Sequence, residues 1–145
     1  MQTASSTLTE RPAGLLRRLG AILYDLLLLF SILFITTALL LPLTGGEAIE
    51  AGNPLFSTYL FFICFFFYGW FWTHGGQTLG MRAWKIRVQQ RNGMDITWWQ
   101  AMLRFLVAII SWLALGLGFL WMLVDRDKMA WHDRYSVTVL VRVNP

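Results

Sequence analysis

Cysteine occurs once and histidine twice in this 145-residue sequence, and only 14% of its residues are charged. Each scarcity removes a class of function. The single cysteine, Cys64, rules out an internal disulfide, and its setting in FFICFFF is that of a small apolar packing residue rather than a redox thiol. Two histidines and one cysteine make no metal-ligand spacing, so no metal site is expected. His132, Asp133 and Ser136 fall in one short segment, which denies a nucleophile, a base and an orienting group their separate places. The glycine-containing GGQTLG at 75–80 lacks the Lys-Ser/Thr pair of a phosphate-cradling loop. The sequence therefore implies no enzyme and no bound cofactor.

Sparse charge beside 57% hydrophobic residues is the composition of an integral membrane protein. The net charge of +4 then reads as an orientation signal toward anionic lipid, not as affinity for nucleic acid. Eight tryptophans suit a chain that meets the membrane interface several times. The expected partner is the lipid bilayer.

Residues 19–43 contain no Lys, Arg or Glu. At about 1.5 Å per residue this run crosses a hydrocarbon core of roughly 30 Å with some tilt. One carboxylate, Asp25, lies inside it. Inserting such a group costs about 2.5–3.5 kcal/mol, whereas the Leu, Ile and Phe residues of the run return on the order of 5–10 kcal/mol, so insertion wins. An intramembrane carboxylate that survives this cost is read as functional or paired. Arg18 stands seven residues earlier, close to two helical turns, so it shares a helix face with Asp25 at a rise of about 10 Å. Thr36 continues the same stripe. One face of the first helix is expected to point at protein rather than lipid.

Residues 1–13 read as a disordered cytoplasmic tail and 14–143 as one transmembrane domain, with spans at about 19–43, 55–72 and 98–124. The loop at 42–54 has glycines and two glutamates but no positive charge, which places it opposite the cytoplasm. Seven of the eleven phenylalanines fall in the second span, whose plainest role is to cover the polar face of the first. In the following loop Trp84, Ile86 and Val88 alternate with Lys85, Arg87 and Gln89 before the turn signal Asn92-Gly93, a pattern for a short half-buried strand, with a basic helix lying on the lipid surface as the rival reading. The β-branched run at 137–141 can pair with it.

The third apolar region raises a conflict. A single crossing would leave the tail outside, yet Arg126, Lys128, Arg134 and Arg142, and the pairing of the two strands, want it in the cytoplasm. A hairpin broken at Gly116 to Gly118 resolves this; a plain third span with glycines at a helix contact is the alternative. The expected fold is thus all-α and membrane-embedded, with three apolar helical segments, the third a span or a broken re-entrant hairpin, and a small cytoplasmic β element.

RLGAILYD at 18–25, GGQTLGMRAWKIRV at 75–88 and WHDRYSVTVLV at 131–141 together resemble the RDD family of small bacterial membrane proteins. The resemblance assigns Arg18 to the family's arginine, Asp25 to its first aspartate and Asp133 to its second, with Asp125 and Asp127 as rival carboxylates. Val137 stands where an SGT-like turn would carry a small residue. It further implies a bacterial inner-membrane protein with a cytoplasmic N-terminus, and cation/proton antiport, attributed to some members. On that reading Arg18, Asp25 and Asp133 bind protons and monovalent cations within a homo-oligomer or with a membrane-protein partner. The other reading is a scaffold or regulatory subunit whose Arg/Asp network is structural.

Overall fold

The computed structural model describes residues 11–143. Most of it is helical, and two helices are long and apolar enough to cross a membrane. The first, α1 (Leu15–Leu40), is prolonged by a 3-10 turn, Leu41–Thr44, that Gly45 ends in a left-handed conformation. The second, α2 (Pro54–Thr73), begins where Asn53 accepts hydrogen bonds from the amides of Leu55 and Phe56 at 3.0 and 3.3 Å, with proline in the first turn. Leucines and phenylalanines such as Leu27, Phe30, Phe34 and Phe66 are exposed around both helices, as lipid-facing side chains are.

Between α2 and the third apolar region come a five-residue helix, α3 (Leu79–Ala83), and a strand, β1 (Ile86–Gln90). β1 pairs antiparallel with β2 (Thr138–Arg142), Val88 opposite Leu140. Ile86, Val88 and Leu140 are buried on the inner face, so the alternation reports a half-buried sheet. A backbone bridge from Pro12 to Val141, and the Ala13 amide on the Leu140 carbonyl at 2.9 Å, add the N-terminal segment to the free edge of β2. This corrects the tail boundary: residues 1–10 lie outside the described residues, but 11–13 are tied to the sheet.

The region 98–124 is not one straight helix. α4 (Trp98–Leu113) starts at a capping box between Thr97 and Gln100. It ends in a Schellman turn: the Gly116 amide reaches the Ser111 carbonyl at 2.9 Å and the Leu115 amide that of Trp112 at 3.1 Å. Leu115 and Gly116 both take positive φ, and the axis turns by 108° into α5 (Leu117–Leu120) and a 3-10 turn, Trp121–Leu123. Gly118 packs so closely that a Cβ there would run into the Trp131 ring. The chain then enters α6 (Trp131–Tyr135), which packs on α4 and leads into β2. Since β2 pairs with the strand that precedes α4, the segment returns to the end it left.

Two further expectations change. α2 lies along α4 and touches α1 little, so the polar face of α1 is covered mainly by α3. Thr36 does not extend that buried stripe; its hydroxyl donates back to the Ile32 carbonyl at 2.8 Å.

Val137, where the resembling pattern has a small residue, adopts φ +56 between α6 and β2. Such a conformation costs a β-branched residue roughly 1–2 kcal/mol, against about 0.5–1 kcal/mol of backbone entropy for glycine. Because the side chain is more than half exposed, little packing is lost on truncation. Val137→Gly is expected to raise stability by about 0.5–1 kcal/mol, seen as a higher thermal unfolding midpoint in detergent.

Candidate functional site

The inward stripe of α1 is Arg18, Ala21, Asp25 and Leu29, all buried. Asp25 faces the start of α3. The Thr78 hydroxyl donates to its Oδ2 at 2.5 Å and the Gly80 amide to its Oδ1 at 2.9 Å. Thr78 serves twice, because its oxygen also accepts the Met81 amide at 3.2 Å and so caps α3. Glycine is required at position 80: a Cβ would stand 2.8 Å from the Asp25 carboxylate and press into the Ala21 carbonyl. The GGQTLG loop thus receives a carboxylate from α1.

Asp133 is fully buried and binds two arginines. Its Oδ2 accepts from Arg18 Nη1 at 2.6 Å and from the Ala130 amide at 3.2 Å, while its Oδ1 accepts from Arg104 Nη1. Arg18 spends its other nitrogens on the Ala13 and Lys128 carbonyls, at 3.2 and 3.3 Å. Arg104 also donates to Thr138 Oγ1 at 3.2 Å and lies over the Trp72 ring, 5.1 Å from its centroid. One carboxylate therefore joins α1, α4, α6 and, through Thr138, β2.

Burial alone would raise the Asp133 carboxyl, but Arg104 and Arg18, with His132 in addition, outweigh it and hold the group well below the usual carboxylate range. His132 Nε2 stands 3.7 Å from Asp133 Oδ1. Its own burial is the dominant influence and, with the two arginines, brings the imidazole down to about 3 despite the attraction of Asp133. At neutral pH the cluster is an ionised Asp133, two guanidiniums and a neutral imidazole.

Arg18 and Asp25 share a face, as their spacing requires, yet they are not bonded to each other. Of the three candidate second carboxylates, Asp133 is the one that meets Arg18. Asp125 is held locally, paired with Arg134 and accepting the Met129 amide at 3.0 Å, and Asp127 is exposed. Gly116 and Gly118 sit at the break, away from both carboxylates' contacts. Sequence reasoning missed Arg104, Thr78 and Gly80. Arg104 carried a signal, a lone cation inside an apolar segment, and Thr78 another, a cap residue two positions before a glycine.

The model of the RDD family matches residues 12–137, most of the chain. The chain belongs to the RDD family. Neither a curated protein nor a solved structure matches it. In this RDD protein the matched stretch contains both carboxylate clusters, the helix break and all of β1.

A half-open cavity of about 490 Å³ lies between α1, α2 and α4 of the RDD protein, with Arg18, Asp25, Arg104 and His132 on its wall and apolar side chains over most of the remainder. Among the described residues no three His, Cys, Asp or Glu side chains stand together as metal ligands would.

Proposed function

We propose that this RDD protein is a non-enzymatic membrane scaffold whose Arg and Asp residues are structural clamps that hold a binding cavity open between three inserted segments. One observation carries the reading: Arg18, Asp25 and Asp133 have every side-chain nitrogen and oxygen engaged by other groups of the protein. An ion-exchanging carboxylate needs ligand oxygens around a site that ions can enter, and the cavity beside Asp25 is mostly apolar.

The assignment extends to topology. Exposed Arg82, Lys85, Arg91, Arg126, Lys128 and Arg134 flank the sheet and its short helices, whereas the α1–α2 connection carries Glu47 and Glu50 and no cation. This asymmetry supports a multi-pass protein of the bacterial inner membrane with its N-terminus in the cytoplasm. The little volume enclosed by three segments favours work in a homo-oligomer or with a membrane-protein partner.

Cation/proton antiport through Asp25 is the rival reading, favoured by the position of Asp25 on the cavity wall. Vesicles holding a pH-sensitive dye, loaded with wild type or Asp25→Asn and exposed to Na⁺, Li⁺ and K⁺ gradients, separate the two. The scaffold reading expects no cation-driven proton flux from the wild type. It also expects Asp25→Asn to lose about 1–3 kcal/mol of stability, since an amide cannot accept both Thr78 and Gly80 as a carboxylate does. Proton flux that vanishes in an Asp25→Asn protein of normal stability overturns the scaffold and establishes antiport.

A further inference from the structure

The clamp residues are fully engaged, but three buried polar atoms around the same cavity are not. Arg104 Nε, Trp72 Nε1 and His132 Nδ1 find no hydrogen-bond partner among the described residues, although each of the three residues is more than nine-tenths buried. They are neighbours. Arg104 lies over the Trp72 ring, and Arg104 and His132 both approach Asp133 Oδ1. Leaving a buried donor or acceptor unmet costs about 1–3 kcal/mol, so a polar group of a ligand is the natural partner for the two N–H donors, Arg104 Nε and Trp72 Nε1.

Charge points the same way. Arg18 and Arg104 share the single carboxylate of Asp133, which leaves the buried cluster with one positive charge in excess. Asp25, the other carboxylate on the cavity wall, has its oxygens on Thr78 and Gly80 and offers no counter-charge to Arg104. Away from this corner the cavity is walled by Leu29, Phe61, Phe105, Ala108 and Ile109, and its volume falls within the roughly 300–1,000 Å³ of small-molecule sites. It is only half enclosed and lies between helices that expose apolar surface, so a ligand dissolved in the bilayer can enter from the side.

We infer that the cavity binds a single-chain anionic amphiphile, its apolar chain against α1, α2 and α4 and its oxygen-rich head on Arg104 Nε and Trp72 Nε1. A fatty carboxylate and a lysolipid phosphate share this chemistry. The inference deepens the scaffold reading by naming the class of ligand that the cavity holds, and it rests on that reading.

Saturable binding of radiolabelled oleate to the purified full chain in non-ionic detergent tests it, with oleyl alcohol and monooleoyl phosphatidate as competitors. Oleyl alcohol keeps the chain and removes the charge; it is expected to compete at least tenfold more weakly than oleate. Trp72→Phe keeps the ring beneath Arg104 and removes one donor, so about tenfold weaker binding is expected. Ala108→Phe fills the apolar wall without touching the charged cluster and is expected to abolish binding in a protein that stays monodisperse. Stronger competition by monooleoyl phosphatidate than by oleate supports the site and assigns its head group to a phosphate. Absence of saturable oleate binding to stable wild type, equal competition by the alcohol, or unchanged binding in Ala108→Phe overturns it. So does a dimer that excludes oleate and dissociates on Ala108→Phe, since a second copy would then fill the cavity. The flux assay judges the scaffold separately: a wild type that moves no protons and binds no oleate keeps the clamps and loses the ligand.

Discussion

Asparagine at position 133 is expected to cost about 3–5 kcal/mol of folding stability, the largest effect of any single change in this chain. The substitution keeps the volume of the side chain and leaves Arg18 and Arg104 buried, each about 2% exposed, with no counter-charge between them. Two guanidiniums on one carboxylate already leave an excess positive charge; removing the carboxylate makes it two. The measurable outcome is a sharp fall in monodisperse protein and in the thermal unfolding midpoint in detergent. Replacing the whole cluster with apolar residues of similar volume, Arg18→Met, Arg104→Met and Asp133→Leu together, is expected to restore much of the loss, because no charge is then left unpaired. Near wild-type stability in Asp133→Asn would mean that the cluster does not hold α1 to α4 and α6, and the clamp reading would fall with it.

The two clamps differ in kind. Asp25 binds neutral donors, a hydroxyl and an amide at the start of α3, so it fixes where the loop after α2 lies against α1. Asp133 binds cations from two helices and caps its own, so it fixes where the returning chain lies. Between them they set the spacing of α1, α3, α4 and α6. The cavity between α1, α2 and α4 is what remains once that spacing is set.

How much of this was legible beforehand depended on the range of the contact. α1 and its inward face follow from an apolar run and a seven-residue spacing, both local. Ile86 and Val88 alternate with polar residues, and the strand is there with Leu140 opposite Val88. The break in the third segment was readable because two glycines, Gly116 and Gly118, stand within an otherwise apolar run. What no local pattern carries is the choice of partner. Arg18 stands 115 residues from Asp133, and Asp125 and Asp127 offered equivalent carboxylates nearby; only the course of the chain through α5 and α6 separates them. Arg104 gave no local sign of its role because its partners, Asp133 and Thr138, lie beyond the helix break. Thr78 looked like any helix cap, since a hydroxyl that caps with its oxygen gives no sign of where its proton goes. α2 was placed on α1 by adjacency in sequence, and the packing of its rings against Phe105 and Trp98 took it to α4 instead.

Acid should loosen the same region before it touches any carboxylate clamp outside the spans. His132 is held neutral, at about 3 against an ordinary value of 6.5, by its burial and by Arg104 and Arg18, with Asp133 opposing them. Phe119 is stacked 6.0 Å away and offers the ring no solvation. The unfolded chain binds a proton at this position below about pH 6.5 while the folded chain does not, so stability falls as pH drops through that window toward 3. At about 1.4 kcal/mol per unit, roughly 2 kcal/mol is lost by pH 5. Asp133 does not contribute there: its folded value lies below the ordinary one of 3.8, so its stabilisation is whole above about pH 4 and is lost only below. Within this cluster the window from pH 6.5 to 4 therefore belongs to the imidazole. His132→Phe, which preserves the stack on Phe119 and removes the titration, is expected to flatten the fall in unfolding midpoint across that range while leaving the steeper loss below pH 4. If the variant kept the wild-type slope between pH 6.5 and 4, His132 would have to take up its proton as easily folded as unfolded. The corner of the cavity it lines would then be wet rather than buried.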